Sequence, residues 1–187
     1  MKKTTFSTKR LVLDAVLIAL YVLLGFWKIP IGNMLRVNMA PFAIVICAVA
    51  FGPIDGLVVG FMGEFLSQIL GPYGLTPTTV LWALPEGVRG LLLGLAMVLF
   101  FRMKVPAANR MNKSTIFYLA ACVITGIIAS LFNTFALYVD SKMFGYYTYY
   151  MVFGVLLIRL SMAVIISGLF GYIAQLVVPA LQRNKLV

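Results

Sequence analysis

Six long apolar runs dominate this sequence, and they limit what the chain can fold into more than any other feature. Each run approaches the roughly 20 residues that an α-helix needs to cross the hydrocarbon core of a bilayer. Lipid offers the backbone no hydrogen-bond partner, so such a run crosses as a helix. We therefore predict one membrane domain, residues 1–187, built from six transmembrane helices. The predicted spans are 10–31, 37–53, 54–71, 77–101, 114–139 and 149–180.

The composition agrees with a protein embedded in lipid. Of the 187 residues, 63% are hydrophobic and only 11% are charged, whereas about 25% of the residues of a soluble domain are charged. The mean hydropathy is +1.04. We therefore predict an all-α integral membrane protein whose helices contact the lipid bilayer.

Two residue types bear on metal and redox chemistry. The chain contains no histidine, which removes the commonest zinc ligand and the commonest general base. Cys47 and Cys122 both fall inside apolar runs, where a cysteine behaves as a small buried hydrophobic side chain. We expect no metal site, no disulfide and no bound cofactor.

The positive charges predict the orientation of the chain. Most of its Lys and Arg residues fall before the first span, between the fourth and fifth spans, and after the sixth. Because such residues collect on the cytoplasmic side, we expect both termini in the cytoplasm. The net charge of +10 forms no basic stripe, so nucleic acid is not an expected partner. The three groups are Lys2, Lys3, Lys9 and Arg10; Arg102, Lys104, Arg110 and Lys113; and Arg183 and Lys185.

An acidic residue lies in the middle of the third apolar run, in the stretch GFMGEFLSQIL. Ionisable groups are costly at membrane depth and mark functional sites by default. Glu64 and Gln68 are one helical turn apart and share a face of the helix. Gly56 and Gly60 continue that face toward the inner side, and their small size would let another helix approach closely.

Other polar residues of the spans should meet Glu64 in the outward half of the bundle. Arg89 and Arg159 are the arginines at membrane depth and the candidate partners of Glu64. Arg89 follows Pro85, which we expect to interrupt the fourth helix. We predict a pocket open to the outside, with Glu64 near its floor, paired with an arginine or hydrogen-bonded there. The candidate substrate-binding residues are Glu64, Gln68, Trp82, Arg89, Asn133, Tyr146 and Arg159.

The same residues allow structural interpretations, which the sequence leaves open. An ion pair of Glu64 with an arginine would fix the register of two helices. Gln68 and Asn133 would serve as hydrogen bonds between helices. Trp82, and Tyr146 with the aromatic residues around it, would fit a belt at the membrane surface.

The polar residues predict binding rather than catalysis. No nucleophile stands beside a base, no carboxylate pair is evident, and no phosphate-binding loop of the form GxxxxGK[ST] occurs in the sequence. We therefore expect that the protein is not an enzyme by itself. An intramembrane enzyme that uses Glu64 as its acid is a more remote alternative. A channel would need a polar line through both leaflets, which the apolar inner half does not offer.

Three stretches of the sequence resemble a known family. They are LVLDAVLIALYVLLG in the first span, LRVNMAPFAIVICAVAFGPIDGLVVGFMGEFL across the second and third, and SLFNTFALYVDSKMFG leading out of the fifth. Together they resemble the substrate-binding (S) component of an energy-coupling factor (ECF) vitamin transporter, most specifically in FGPIDGLVVG and FNTFAL. The resemblance implies a six-helix protein that captures a vitamin from outside. It also implies two kinds of partner, a transmembrane coupling (T) protein and two cytoplasmic ATPases.

The resemblance extends to a pair of small residues in the first span. Ala15 and Ala19 match the AxxxA motif with which the family docks onto its coupling protein. Alanines four residues apart form a flat strip that a partner helix can approach closely. The alternative is that the strip packs against the protein's own bundle.

The resemblance leaves the identity of the vitamin open. The turn and the Asn-Thr stretch are similar to the folate-like branch, and pantothenate and cobalamin carriers share much of the pattern. Arg89 and Arg159 would suit a vitamin with a carboxylate, because a guanidinium binds a carboxylate through two parallel hydrogen bonds. We therefore expect an anionic vitamin such as folate or pantothenate, with cobalamin as the alternative.

Overall fold

The computed structural model describes residues 8–31, 35–72, 74–102 and 110–183. These residues form six α-helices, a two-stranded hairpin between the first two helices, and a short π-helix before the last. The helices are α1 (Thr8–Phe26), α2 (Pro41–Ala50), α3 (Pro53–Ile69), α4 (Thr79–Arg102), α5 (Arg110–Met143) and α6 (Leu156–Arg183). The strands are β1 (Lys28–Ile31) and β2 (Leu35–Asn38), and the π-helix is Tyr150–Gly154.

Three of the helical segments are long and apolar enough to cross a membrane by length and composition. The six predicted helices are all present, but their lengths differ. α3 has 17 residues and α2 only 10; at 1.5 Å per residue, α2 is about 15 Å long, half of the hydrocarbon thickness. The three long segments are Thr79–Phe100, Thr115–Met143 and Tyr150–Val178.

The hairpin takes up the end of the first predicted span and the start of the second. β1 and β2 pair antiparallel, with Lys28 opposite Asn38. The predicted bounds of the first span, 10–31, and the second, 37–53, are therefore wrong, because α1 ends at Phe26 and α2 is short. The strands read KIPI and LRVN, so their apolar residues are interrupted by Lys28, Arg36 and Asn38. Segments this short and mixed are not separated by hydropathy from the helices on either side.

The short helix α2 lies in the core of the bundle. Its residues Ala43, Ile44, Val45 and Cys47 are fully buried, and α1, α3, α4 and α6 all contact it. An all-round apolar sequence is what a helix buried on every side requires. The expectation for the two cysteines is confirmed, because Cys47 and Cys122 are both buried and free.

The turn between α2 and α3 explains the FGPIDG stretch. Gly52 adopts φ +108°, a conformation that side chains strongly disfavour, and Pro53 then begins α3. Arg10 of α1 donates hydrogen bonds to the Asp55 carboxylate and, at 2.6 Å, to the carbonyl oxygen of Phe51. These bonds tie the first turn of α1 to the start of α3.

The predicted close approach at Gly56 and Gly60 is confirmed, because both glycines pack against α4. A β-carbon added to Gly56 would lie 2.7 Å from the carbonyl oxygen of Gly90, and one added to Gly60 would lie 2.8 Å from the carbonyl carbon of Glu86. No side chain fits in that space, so the two backbones touch. The contact fixes how far Glu86 lies from α3.

Helix α4 continues through its proline. Pro85 lies inside the helix, which runs from Thr79 to Arg102, so the prediction that Pro85 interrupts it is wrong. A proline removes one helical hydrogen bond, but the tight contact with α3 on the following turns holds the helix together. Glu86 and Arg89 therefore sit on one helix, three residues apart.

Candidate functional site

A cavity of about 240 Å³ lies among α2, α4, α5 and α6. Apolar residues such as Met162, Ile166 and Phe170 form part of its wall. The rest of the wall is polar, which is unusual inside a bundle of this hydrophobicity. Its polar lining residues are Asn38, Glu86, Arg89, Ser130, Asn133, Thr134, Arg159 and Ser167.

Three of the seven predicted site residues line this cavity. Arg89, Asn133 and Arg159 come from α4, α5 and α6 and meet there. The predicted convergence of polar side chains from these three helices is therefore what the structure shows. The other four predicted residues, Glu64, Gln68, Trp82 and Tyr146, are not among the residues that line it.

Glu64 joins α3 to α1 through hydrogen bonds. It accepts one from the hydroxyl group of Tyr21 at 2.6 Å and one from the amide nitrogen of Gln68 at 2.6 Å. Tyr21 is fully buried. Among the described residues, the ion-pair partner of Arg89 is Glu86 rather than Glu64. Glu64 is therefore bonded to α1 through Tyr21 and to the next turn of α3 through Gln68. Neither Glu64 nor Gln68 lines the cavity.

Arg89 lies between a carboxylate and a hydroxyl group. Its Nη1 is 3.6 Å from Oε2 of Glu86, and its Nη2 donates a hydrogen bond to Oγ of Ser167 on α6 at 2.8 Å. Both members of the ion pair are deeply buried, with 6% of Arg89 and 7% of Glu86 exposed. Ser167 packs against Gly126, where a β-carbon would lie 2.8 Å from that of the serine.

Glu86 is the charged cavity residue that is absent from the sequence-based list of site residues. It precedes Arg89 by three residues, a spacing that puts two side chains on one face of a helix. A break at Pro85 would not change this spacing, because both residues follow the proline, so the sequence alone could have placed both charges on the same wall.

Arg159 is held from the other side of the cavity. Its Nη2 donates a hydrogen bond at 2.7 Å to the carbonyl oxygen of Met151, which belongs to the π-helix before α6. A π-helix leaves backbone groups out of the usual register and is often found at functional sites. The arginine is half-buried, and most of its donors are not used by that bond.

Asp140 joins the loop before α4 to the loop after α5. This carboxylate accepts hydrogen bonds from Thr78, before α4, and from the hydroxyl group of Tyr146, after α5. The ammonium group of Lys142 lies 4.0 Å from the centre of the Tyr147 ring. Tyr146 thus helps Asp140 to hold the two loops together. Trp82 is half-buried on the first turn of α4.

The docking strip predicted on α1 is not covered by the bundle. Ala15 and Ala19 are both exposed, and they lie among exposed apolar side chains, Leu11, Val12 and Val16. The alternative in which the strip packs within the bundle is therefore wrong. The described residues leave this face of α1 open to lipid or to another protein.

The fold is that of a known class of membrane proteins. The S component for biotin from an ECF-type ABC transporter superposes on the chain with a TM-score of 0.57, over 92% of this chain and 94% of that one. The two sequences are 15% identical, so this likeness establishes the fold alone. The chain therefore has the same fold as that S component.

The family follows from the sequence itself. A family model described as the S component of an ECF-type riboflavin transporter matches residues 5–178. The chain therefore belongs to this family of membrane transport components, and the resemblance to S components is confirmed. Members of such a family are not themselves enzymes, so the intramembrane-enzyme alternative is set aside.

Two curated relatives match a shorter stretch. A UPF0397 protein of Vibrio atlanticus (strain LGP32) is 32% identical over 92 residues, which are 48% of this chain and 49% of that protein. A UPF0397 protein of Streptococcus pneumoniae (strain CGSP14) is 33% identical over 107 residues, 56% of this chain and 53% of that protein. The chain spans about half the length of these curated relatives.

Proposed function

We propose that this protein is the membrane-embedded, substrate-binding subunit of an ECF-type ABC transporter and captures a water-soluble vitamin from outside. The cavity among α2, α4, α5 and α6 carries the proposal, because it gathers two arginines and a glutamate inside an apolar bundle. Charged groups at such a depth are costly and mark ligand sites. The proposed role in transport rests on membership of the S-component family.

Uptake would depend on partner proteins. The sequence contains no phosphate-binding loop, so the energy of ATP would come from two cytoplasmic ATPases through a transmembrane coupling protein. The exposed apolar face of α1, with Ala15 and Ala19 at its centre, offers a surface for that coupling protein. The positive-inside pattern supports cytoplasmic termini, and membership of the S-component family supports a location in the plasma membrane of a bacterium.

The charges of the cavity favour an anionic vitamin. Arg89 and Arg159 contribute two positive charges against the single negative charge of Glu86, so the lining is positive overall. A positive cavity in a medium of low polarity attracts a carboxylate. Folate, pantothenate and biotin each carry at least one carboxylate. The volume of about 240 Å³ is below the roughly 300–1,000 Å³ of most ligand pockets, which disfavours cobalamin most, because a corrinoid ring system could not be enclosed.

Riboflavin is the second candidate, and the match to the riboflavin S-component family model favours it. Riboflavin carries no carboxylate and is neutral at physiological pH. The two candidates therefore differ in what Arg159 does. For an anionic vitamin it supplies the counter-charge, and for riboflavin it supplies only hydrogen bonds.

A binding panel tests the proposed function. We expect the purified protein to bind one of riboflavin, biotin, folate, pantothenate and cobalamin tightly by itself, as measured by calorimetry. Sealed vesicles that contain only this protein should not accumulate that vitamin, because no motor is present. Failure to bind any of the five, or concentrative uptake without ATPases, would contradict the proposal.

The charge of Arg159 separates the candidates. For an anionic vitamin, Arg159→Met should weaken binding by roughly 10- to 100-fold, the loss of a hydrogen-bonded charge partner. The matched control is Lys142→Met, which removes the same charge from an exposed side chain outside the cavity. Equal affinities for Arg159→Met and the control would exclude a carboxylate at Arg159.

A further inference from the structure

The pair formed by Glu86 and Arg89 is incompletely satisfied. The distance of 3.6 Å between Oε2 and Nη1 is longer than a hydrogen bond. Oε2 of Glu86 and Nε of Arg89 are both buried and have no hydrogen-bond partner among the described residues. A buried charge is normally paired and hydrogen-bonded, since leaving it without partners is expensive. The pair therefore lacks hydrogen bonds at these two atoms among the described residues.

Glu86 and Arg89 require opposite kinds of hydrogen-bonding group from a ligand. A carboxylate accepts hydrogen bonds and a guanidinium donates them. Glu86 and Arg89 both line the cavity from the same face of α4, so one ligand edge reaches both. That edge must present a donor beside an acceptor. A ligand carboxylate is a poor match here, because Glu86 would repel it.

We propose that Glu86 and Arg89 together bind a cyclic amide edge of the ligand, a ring N–H beside a ring C=O, as in ureides, imides and pterins. Glu86 accepts from the N–H, and Arg89 donates to the C=O. This inference rests on the proposed function and refines it. It differs from the sequence hypothesis that assigned a vitamin carboxylate to Arg89, and it leaves any carboxylate to Arg159.

Ser167 and Gly126 keep Arg89 in place for this role. Nη2 of Arg89 is bonded to Ser167, which points the rest of the guanidinium along α4 toward Glu86. Gly126 leaves the space that Ser167 occupies. A fixed guanidinium loses little freedom when a ligand binds, which favours affinity.

Ligands with a blocked N–H test the inference on the unaltered protein. Riboflavin, biotin and folate contain the ring edge, whereas pantothenate has only an open-chain amide. We expect the ligand that binds to be one of the first three. Its analogue without the ring N–H donor (3-methylriboflavin, N-methylated biotin or the 4-amino analogue of folate) should bind at least 10-fold more weakly, the cost of a lost hydrogen bond to a charged group.

Variants then show whether Glu86 is the acceptor. Glu86→Gln should weaken binding of the parent vitamin by roughly 10- to 100-fold and should shrink the difference between parent and blocked analogue. The variant Glu86→Met/Arg89→Met removes both charges, which avoids an unpaired buried charge, and should abolish that difference. If the pair were purely structural, these variants would weaken the binding of the parent vitamin and of the blocked analogue equally.

Each outcome decides between the two proposals. Tight binding of pantothenate, with none of the three ring-containing vitamins bound, would overturn the ring-edge inference and leave the vitamin-binding function intact. A blocked analogue that binds as tightly as its parent would overturn it too. If no vitamin bound at all, the proposed function itself would fail.

Discussion

Replacing Ala15 and Ala19 together by leucine should leave vitamin binding unchanged and abolish vitamin uptake by the complete transporter. Both alanines are exposed on α1, on the side of that helix away from the cavity-lining helices. Leucine adds bulk to a surface that can accept a helix only at short range. Overpacking costs roughly 1–3 kcal/mol at each site, and every 1.4 kcal/mol is about a tenfold loss of affinity. Two substitutions should therefore prevent assembly.

The measurement combines three readouts on the same variant. Calorimetry gives vitamin affinity, co-purification with the coupling protein and ATPases gives assembly, and uptake into vesicles gives transport. Ala120→Leu is the matched control, because Ala120 is an exposed alanine on α5. It should assemble and transport normally. Loss of vitamin binding in the Ala15/Ala19 variant, with assembly intact, would assign these alanines to the fold of the protein instead.

The position of α1 on the bundle bears on the same surface. Arg10 lies little more than one turn before Ala15 and is bonded to the turn between α2 and α3. Asp55, which accepts one of those bonds, is 1% exposed. An ionic contact that is buried on the side of Asp55 helps to set the register of two helices. The exposed strip is therefore presented at a defined angle rather than on a loose helix.

Much of the fold could be predicted from the sequence because lipid constrains it so strongly. Apolar runs of sufficient length become helices, and small residues on a shared face become helix contacts, as Gly56 and Gly60 show. The hairpin between α1 and α2 was not predictable in the same way. Five of its eight strand residues are apolar, and a pattern this short does not distinguish a strand from the end of a helix.

The site was predicted in part for a related reason. Arg89, Arg159 and Asn133 stand out in the sequence because polar groups are rare in apolar spans, and the structure brings them to one cavity. Glu64 stands out equally, but its hydrogen-bond partner Tyr21 comes from α1. A tyrosine in an apolar run gives no sign of what its hydroxyl group bonds, so pairing depends on helix packing that sequence does not specify.

Replacing Gly60 by alanine should destabilise the protein and weaken vitamin binding, although alanine favours helices over glycine by about 1 kcal/mol. The added β-carbon would lie 2.8 Å from the carbonyl carbon of Glu86, so α3 and α4 must move apart. Forcing atoms into a packed core costs roughly 1–3 kcal/mol, and here the obstacle is backbone, which cannot rotate away. The movement shifts Glu86, so affinity should fall together with the melting temperature measured in detergent.

Gly168→Ala is the matched control on α6, because its β-carbon would meet only Val123, at 3.8 Å. This variant should leave the affinity and the melting temperature unchanged or slightly raised. If Gly60→Ala behaved like that control, the close contact of α3 with α4 would not be what positions the cavity wall.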